Sequence, residues 1–139
     1  MATVTADYQD RRRIVFNARG REYVNVREAS HDGTGPVGYS STELLLIALG
    51  NCSLGALLNH ELLANSPVTR AFATLDAWMV PNPTRVDQIL VHVELDVDDS
   101  AILEQFEALE VASCACPICN TLAGKVTTTL TLATPAGTR

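Results

Sequence analysis

The chain has 139 residues, with 10 Lys and Arg against 16 Asp and Glu, a formal net charge of −6 and a sequence pI near 4.9. That is about one domain's worth of chain, and 47% hydrophobic residues suffice for a core. The acidic balance, with Arg11-Arg12-Arg13 as the longest basic run, excludes a field suited to polyanions, so no nucleic-acid partner is expected.

The first residues lack a charged segment followed by an apolar one, so no secretory signal is read. A cytoplasmic protein is expected, in which four cysteines serve catalysis or metal binding better than structural cross-linking.

In chain order, Thr3–Tyr8, Ile14–Phe16 and Tyr23–Val26 alternate like short strands, with turns near Asp10 and Gly20, and predict an antiparallel meander. Residues 28–39 are rich in Gly, Asp and Pro and predict a loop. Ser40-Ser-Thr-Glu43 has the form of a capping box opening a long helix, which Asn65-Ser66-Pro67 stops near Ala64. The apolar run Leu44–Leu63 approaches membrane-span length, but Gly50, Asn51, Ser53, Asn59, His60 and Glu61 interrupt it. It reads as a buried core helix, with no membrane partner.

Arg70–Val80 is strand-like, and Pro81-Asn82-Pro83 turns the chain. Ile89, Val91, Val93, Leu95 and Val97 then give the clearest period-two face in the sequence. Asp99-Ser100 caps a second helix carrying Ile102, Leu103, Phe106 and Leu109, which ends near Ser113. Pro117 suits the first position of a short third helix to about Leu122, and Gly124 precedes a last strand, Lys125–Thr134, with Val126, Thr128, Leu130 and Leu132 on one face. The expected fold is α+β: a single domain over residues 1–139, with antiparallel sheets around a long buried central helix. A helix so uniformly apolar exceeds what one small domain can cover, so a homodimer is expected.

Cys52 lies in that helix with Ala48, Leu49, Gly55 and Ala56 at three- and four-residue spacing, so mainly small side chains border the thiol. Cys116, before Pro117, sits at a helix start, where the positive end of the helix dipole favours a thiolate. Two such thiols can cycle through sulfenic acid and disulfide. The plainer alternatives are a buried inert Cys52 and a turn cysteine at 116.

The segment Ser41-Thr-Glu-Leu-Leu-Leu-Ile-Ala-Leu-Gly-Asn-Cys52 resembles the P-x-E-L-L-L-A-A-L-x-x-C helix of the OsmC/Ohr superfamily, named for osmotic induction and organic hydroperoxide resistance. Cys116-Pro-Ile-Cys-Asn-Thr-Leu122 is similar to its second signature, C-P-x-S-x-x-L, and the 64-residue interval between Cys52 and Cys116 is similar to the family's. The resemblance covers nearly the whole chain. It implies an intertwined homodimer with sites at the subunit interface and thiol-dependent reduction of organic hydroperoxides, with Cys52 peroxidatic and Cys116 resolving. A dithiol reductant, lipoyl-type or other, would be co-substrate, and no bound cofactor is expected. Leu44, Leu45, Leu49 and Leu57 would supply apolar walls, and Leu45, Ala48, Leu49, Gly55 and Ala56 the pocket.

The chain departs from the pattern at two places, position 42 and position 119. The hydroperoxidase branch carries a glutamate ten residues before the nucleophile to hold an activating arginine; here that position is Thr42, and Glu43 either takes the role or closes the capping box. Arg11, Arg12 and Arg13 fill the region of the activating arginine, or are solvated charges guarding a strand edge. Cys119 replaces the signature serine, making a Cys116-Pro-Ile-Cys119 pair and a second redox candidate. Cys114, Cys116 and Cys119 together form a weaker alternative zinc site, within a rival reading of a non-catalytic small-molecule-binding or zinc-binding protein. His31, His60 and His92 receive no role.

Overall fold

Short alternating segments at the N-terminus form β1 (Thr5–Gln9), β2 (Arg13–Ala18) and β3 (Arg21–Val26), an antiparallel sheet in the order β1-β2-β3. The computed structural model describes all 139 residues and divides into two compact units, Met1–Leu44 and Leu45–Arg139. In the first unit the two expected turns are present. Arg11 and Arg12, both at φ 56°, make the β1–β2 tip, and Arg19 (φ 56°) with Gly20 (φ 76°) makes the next. The Asn25 side chain is buried and brackets Tyr39, accepting from its N–H at 2.8 Å and donating to its carbonyl at 2.9 Å. The backbone at residue 38 runs so close to β3 that a Cβ on Gly38 would lie 2.8 Å from the Val26 nitrogen, so only glycine fits there.

The predicted loop is irregular, as its composition dictates. Asp32 organises it, accepting from the Ser30 hydroxyl (2.6 Å), the Thr34 hydroxyl (2.7 Å) and the Thr34 amide (3.1 Å). The Ser30 and Thr34 donors hold its carboxyl down to about 2. The capping box closes as expected: the Ser40 N–H donates to Glu43 at 2.6 Å and the Glu43 N–H to Ser40 Oγ at 3.1 Å.

α1 (Ser41–Leu58) begins at that box and ends well before Ala64, where the proline rule predicts its end. Asn59 Nδ2 donates to the Gly55 carbonyl at 2.9 Å, and His60 turns extended (φ −70°, ψ 140°) to accept from the Leu62 N–H, opening a 3-10 turn at Glu61–Leu63. Local side-chain to backbone bonds thus end the helix before Pro67 has any effect. By length and composition alone α1 is apolar enough to cross a membrane, but the stripe Leu49, Ser53, Leu57 is wholly buried and its leucines join the sheet core. Burial is one-sided: Ile47 is 49% and Leu58 44% exposed, so the expectation of a helix buried nearly all round does not hold within one chain.

β4 (Val68–Val80) and β5 (Arg85–Val97) are antiparallel. The five period-two residues of β5 are at most 2% exposed, each contributing roughly 1.5–3 kcal/mol of burial. The chain then crosses over and returns as β6 (Val126–Thr134), which pairs with β5 in parallel, Ile89 opposite Val126 and Leu95 opposite Leu132. The sheet, ordered β4-β5-β6-β7 with β7 (Gly137–Thr138), is therefore mixed rather than antiparallel throughout. Alternation reveals which face of a strand is buried but not its partner's direction, which explains the difference.

The crossover starts as a 3-10 segment, Ser100–Gln105, capped by Asp99 (Oδ1 to the Ala101 N–H, 2.9 Å). It continues as α2 (Phe106–Ala112) and α3 (Pro117–Thr121). Glu110 of α2 accepts the Leu130 N–H at 3.1 Å, covering a donor on the open edge of β6. At Gly50 of α1 the helix comes close to β4, since a Cβ there would lie 3.1 Å from Leu75 Cδ1.

Candidate functional site

Cys52 lies one residue before Ser53 on α1, at the shoulder of the buried stripe, and is half-buried. Cys116 is 2% exposed and extended (φ −135°, ψ 158°) as the N-cap of α3, with Pro117 in the first helical position. The composition produces this geometry directly. Pro117 has no N–H to leave unsatisfied, and the Cys116 sulfur accepts from the Cys119 N–H at 3.4 Å, as a capping serine oxygen would.

The fold brings Cys52 and Cys116 together. Burial raises the Cys52 thiol above the usual cysteine range, and the Cys116 side chain, acting as hydrogen-bond partner and as charge, raises it further. The Ile118 amide faces Cys52 and acts in the opposite direction, favouring the thiolate. Both sulfurs therefore lie against backbone donors of the first turn of α3. Sequence reasoning did not assign a role to these two amides; the signal for them is Pro117, which fixes residues 118 and 119 as the first free N–H groups of the helix.

The cysteine cluster is wired differently from the sequence expectation. Cys119 is bonded to Cys114 as a disulfide, with Cα atoms 5.5 Å apart, rather than to Cys116 across the Cys-Pro-Ile-Cys spacing. Cys52 and Cys116 are the free thiols. With two of its sulfurs bonded to each other, the Cys114, Cys116 and Cys119 set offers no three thiolate ligands. No group of three or more His, Cys, Asp or Glu stands where it could hold a metal ion.

Each of the other candidates has its own local surroundings. Leu49 is 0% exposed and belongs to the sheet core, so it is not a pocket wall; Leu57, equally buried, is core as well. Leu45 and Ala56 pack at the margin of that core, Gly55 is half-buried and Ala48 is exposed. Glu43 is engaged in the capping box. Arg11, Arg12 and Arg13 are exposed at the β1–β2 tip of the N-terminal unit. His92, left without a role, hydrogen-bonds Thr129 at 2.7 Å and Thr131 at 3.2 Å across β5 and β6.

Residues 31–131 match the family described as OsmC-like protein. No curated protein matches the sequence. Among solved structures, an OsmC-like protein from Mycoplasma pneumoniae superposes with a TM-score of 0.71 at 17% identity, covering 96% of each chain. The organic hydroperoxide resistance protein OhrB of Bacillus subtilis gives 0.62 at 18% identity, covering 95% of this chain and 97% of that one. An organic hydroperoxide resistance protein OsmC from Legionella pneumophila gives 0.63 at 14% identity, covering 95% and 96%. At these identities the likeness is one of fold.

Proposed function

The chain belongs to the OsmC-like protein family, and we propose that it is a thiol-dependent peroxidase that reduces organic hydroperoxides to alcohols. The observation that carries this reading is the contact between Cys52 and Cys116, which arrive from positions 64 residues apart to lie side by side at the first turn of α3.

In the proposed cycle the Cys52 thiolate attacks the outer peroxide oxygen and breaks the O–O bond. The alkoxide leaves as an alcohol on taking up a proton, and Cys52 becomes a sulfenic acid. The Cys116 sulfur then attacks the sulfenic sulfur and expels hydroxide, which leaves as water, closing a Cys52–Cys116 disulfide. A dithiol, lipoyl-type or other, returns both thiols and is itself oxidised to a disulfide. Sulfur chemistry alone completes the cycle, without a bound cofactor. The Ile118 N–H facing Cys52 supports the attacking thiolate, and the half-buried Leu45 and Ala56 of the same helix favour an apolar hydroperoxide over hydrogen peroxide.

A cytoplasmic homodimer belongs to the same proposal. The apolar side chains that α1 leaves half-exposed or exposed, Ile47 and Leu58 among them, are a surface for a second copy. Consumption of cumene hydroperoxide with a dithiol tests the activity. Wild type turns over through a Cys52–Cys116 disulfide, Cys52→Ser does not turn over, and Cys116→Ser forms no such disulfide and is slowed to the rate at which the external dithiol itself reduces the Cys52 sulfenic acid. A wild-type protein that consumes no peroxide while all its folded markers are intact refutes the activity and favours a binding protein of the same fold.

A further inference from the structure

The Cys114–Cys119 disulfide has no part in the cycle above, yet it adjoins it: Cys119 donates its own N–H to the Cys116 sulfur at 3.4 Å. Its two ends differ in access. Cys119 is 4% exposed and faces inward with Cys116, whereas Cys114 is half-buried and lines an open groove of about 440 Å³ with Glu110, Val111, Ala115 and Thr128. A reductant in solution therefore reaches Cys114, and the similarly half-buried Cys52, more readily than Cys116 or Cys119.

Position 119 is also three residues beyond Cys116 at a helix start. This is the Cys-x-x-Cys spacing at which a disulfide forms and exchanges readily. Residue 119 is thus bonded to Cys114 on the groove side, and its N–H touches the Cys116 sulfur on the buried side.

We propose that Cys114 and Cys119 form a second redox couple, an electron relay that accepts reducing equivalents from a dithiol in the groove and passes them to the Cys52–Cys116 disulfide. The proposal rests on the peroxidase reading for the origin of that disulfide. Each step is a thiol–disulfide exchange and needs no oxidant beyond the disulfides named. One thiolate of the external dithiol attacks Cys114 Sγ, and Cys119 leaves as thiolate. The second external thiol attacks the mixed disulfide, freeing Cys114 and leaving the reductant as a cyclic disulfide. Cys119 then attacks Cys116 Sγ, breaking the Cys52–Cys116 bond and releasing the Cys52 thiolate. Cys114 finally attacks Cys119 Sγ, which releases Cys116 and restores the Cys114–Cys119 bond. Two electrons and two protons pass from the dithiol to the Cys52–Cys116 pair.

The test separates the two half-reactions. Full-length protein is oxidised with diamide, so that the outcome does not depend on peroxide activity, and reduction by dihydrolipoamide is followed by quenching and counting the thiols of Cys52 and Cys116. Cys119→Ser and Cys114→Ser/Cys119→Ser are each expected to slow this reduction by about tenfold or more. Reduction at the wild-type rate in both variants overturns the relay.

Because loss of a disulfide can weaken folding, a second measurement uses wild type alone. A monothiol, glutathione, is mixed with the fully oxidised protein, the reaction is acid-quenched early, and the adduct is mapped by mass spectrometry. A first adduct on Cys114 supports the relay, and one on Cys52 or Cys116 overturns it. The peroxidase reading is judged separately: it fails if cumene hydroperoxide leaves the reduced wild-type Cys52 and Cys116 thiols intact, whatever the relay result.

Discussion

Leu49 offers a sharp test of which α1 side chains hold the fold and which face the thiol. Its side chain is 0% exposed and lies in the cluster formed with the inner face of β5, three residues before Cys52. Leu49→Ala removes three carbons from that site. At roughly 0.8 kcal/mol per buried methylene-sized group the transfer loss is about 2.4 kcal/mol, and an incompletely collapsed cavity brings the total to about 3–4 kcal/mol. Urea unfolding followed by circular dichroism, at one fixed protein concentration because association would shift the midpoint, measures the difference. KM for cumene hydroperoxide, read on the folded fraction, should stay close to that of the unaltered protein. A loss of less than about 1 kcal/mol together with a raised KM would return Leu49 to the pocket and refute its assignment to the core.

Other perturbations have definite signs. Burial and Cys116 hold the Cys52 thiol above the usual cysteine range, so its alkylation rate should still be rising at pH 8.5; a plateau at or below that pH contradicts the shift. The same shift means that the fold favours the protonated thiol. Its contribution is fully present below the unfolded pKa and is lost as pH rises through the folded one, so Cys52→Ser should flatten the fall in stability above about pH 8.5. Ser53 is 0% exposed and its hydroxyl has no hydrogen-bond partner, so Ser53→Ala should stabilise the protein by about 1 kcal/mol in the same urea assay, whereas a loss of that size would mean the hydroxyl is satisfied.

The parts of the fold legible in the sequence are those set by local rules. The capping box, the turns at residues 10 and 20, the inner face of β5 and the Pro117 start of α3 each depend on a few adjacent residues, and each stands where those rules put it. The end of α1 is not legible from the proline rule because the Asn59 and His60 side chains compete for backbone groups before Pro67 is reached. The direction of β6 depends on the route of the crossover, which no residue of β6 encodes. At the site, the roles given to Cys52 and Cys116 come from the resemblance, and the interaction between the two side chains is compatible with them. The Cys114–Cys119 bond is not legible in the sequence, because three cysteines within six residues allow several pairings, and side-chain direction at the α2–α3 junction selects among them.

The account depends most on the contact between the Cys52 and Cys116 sulfurs, and a peptide map of the protein after one equivalent of cumene hydroperoxide addresses it directly. The predicted product is a Cys52–Cys116 cross-link with the Cys114–Cys119 bond unchanged. A Cys52 that remains a free thiol, or that proceeds to sulfinic acid with Cys116 still reduced, would contradict it.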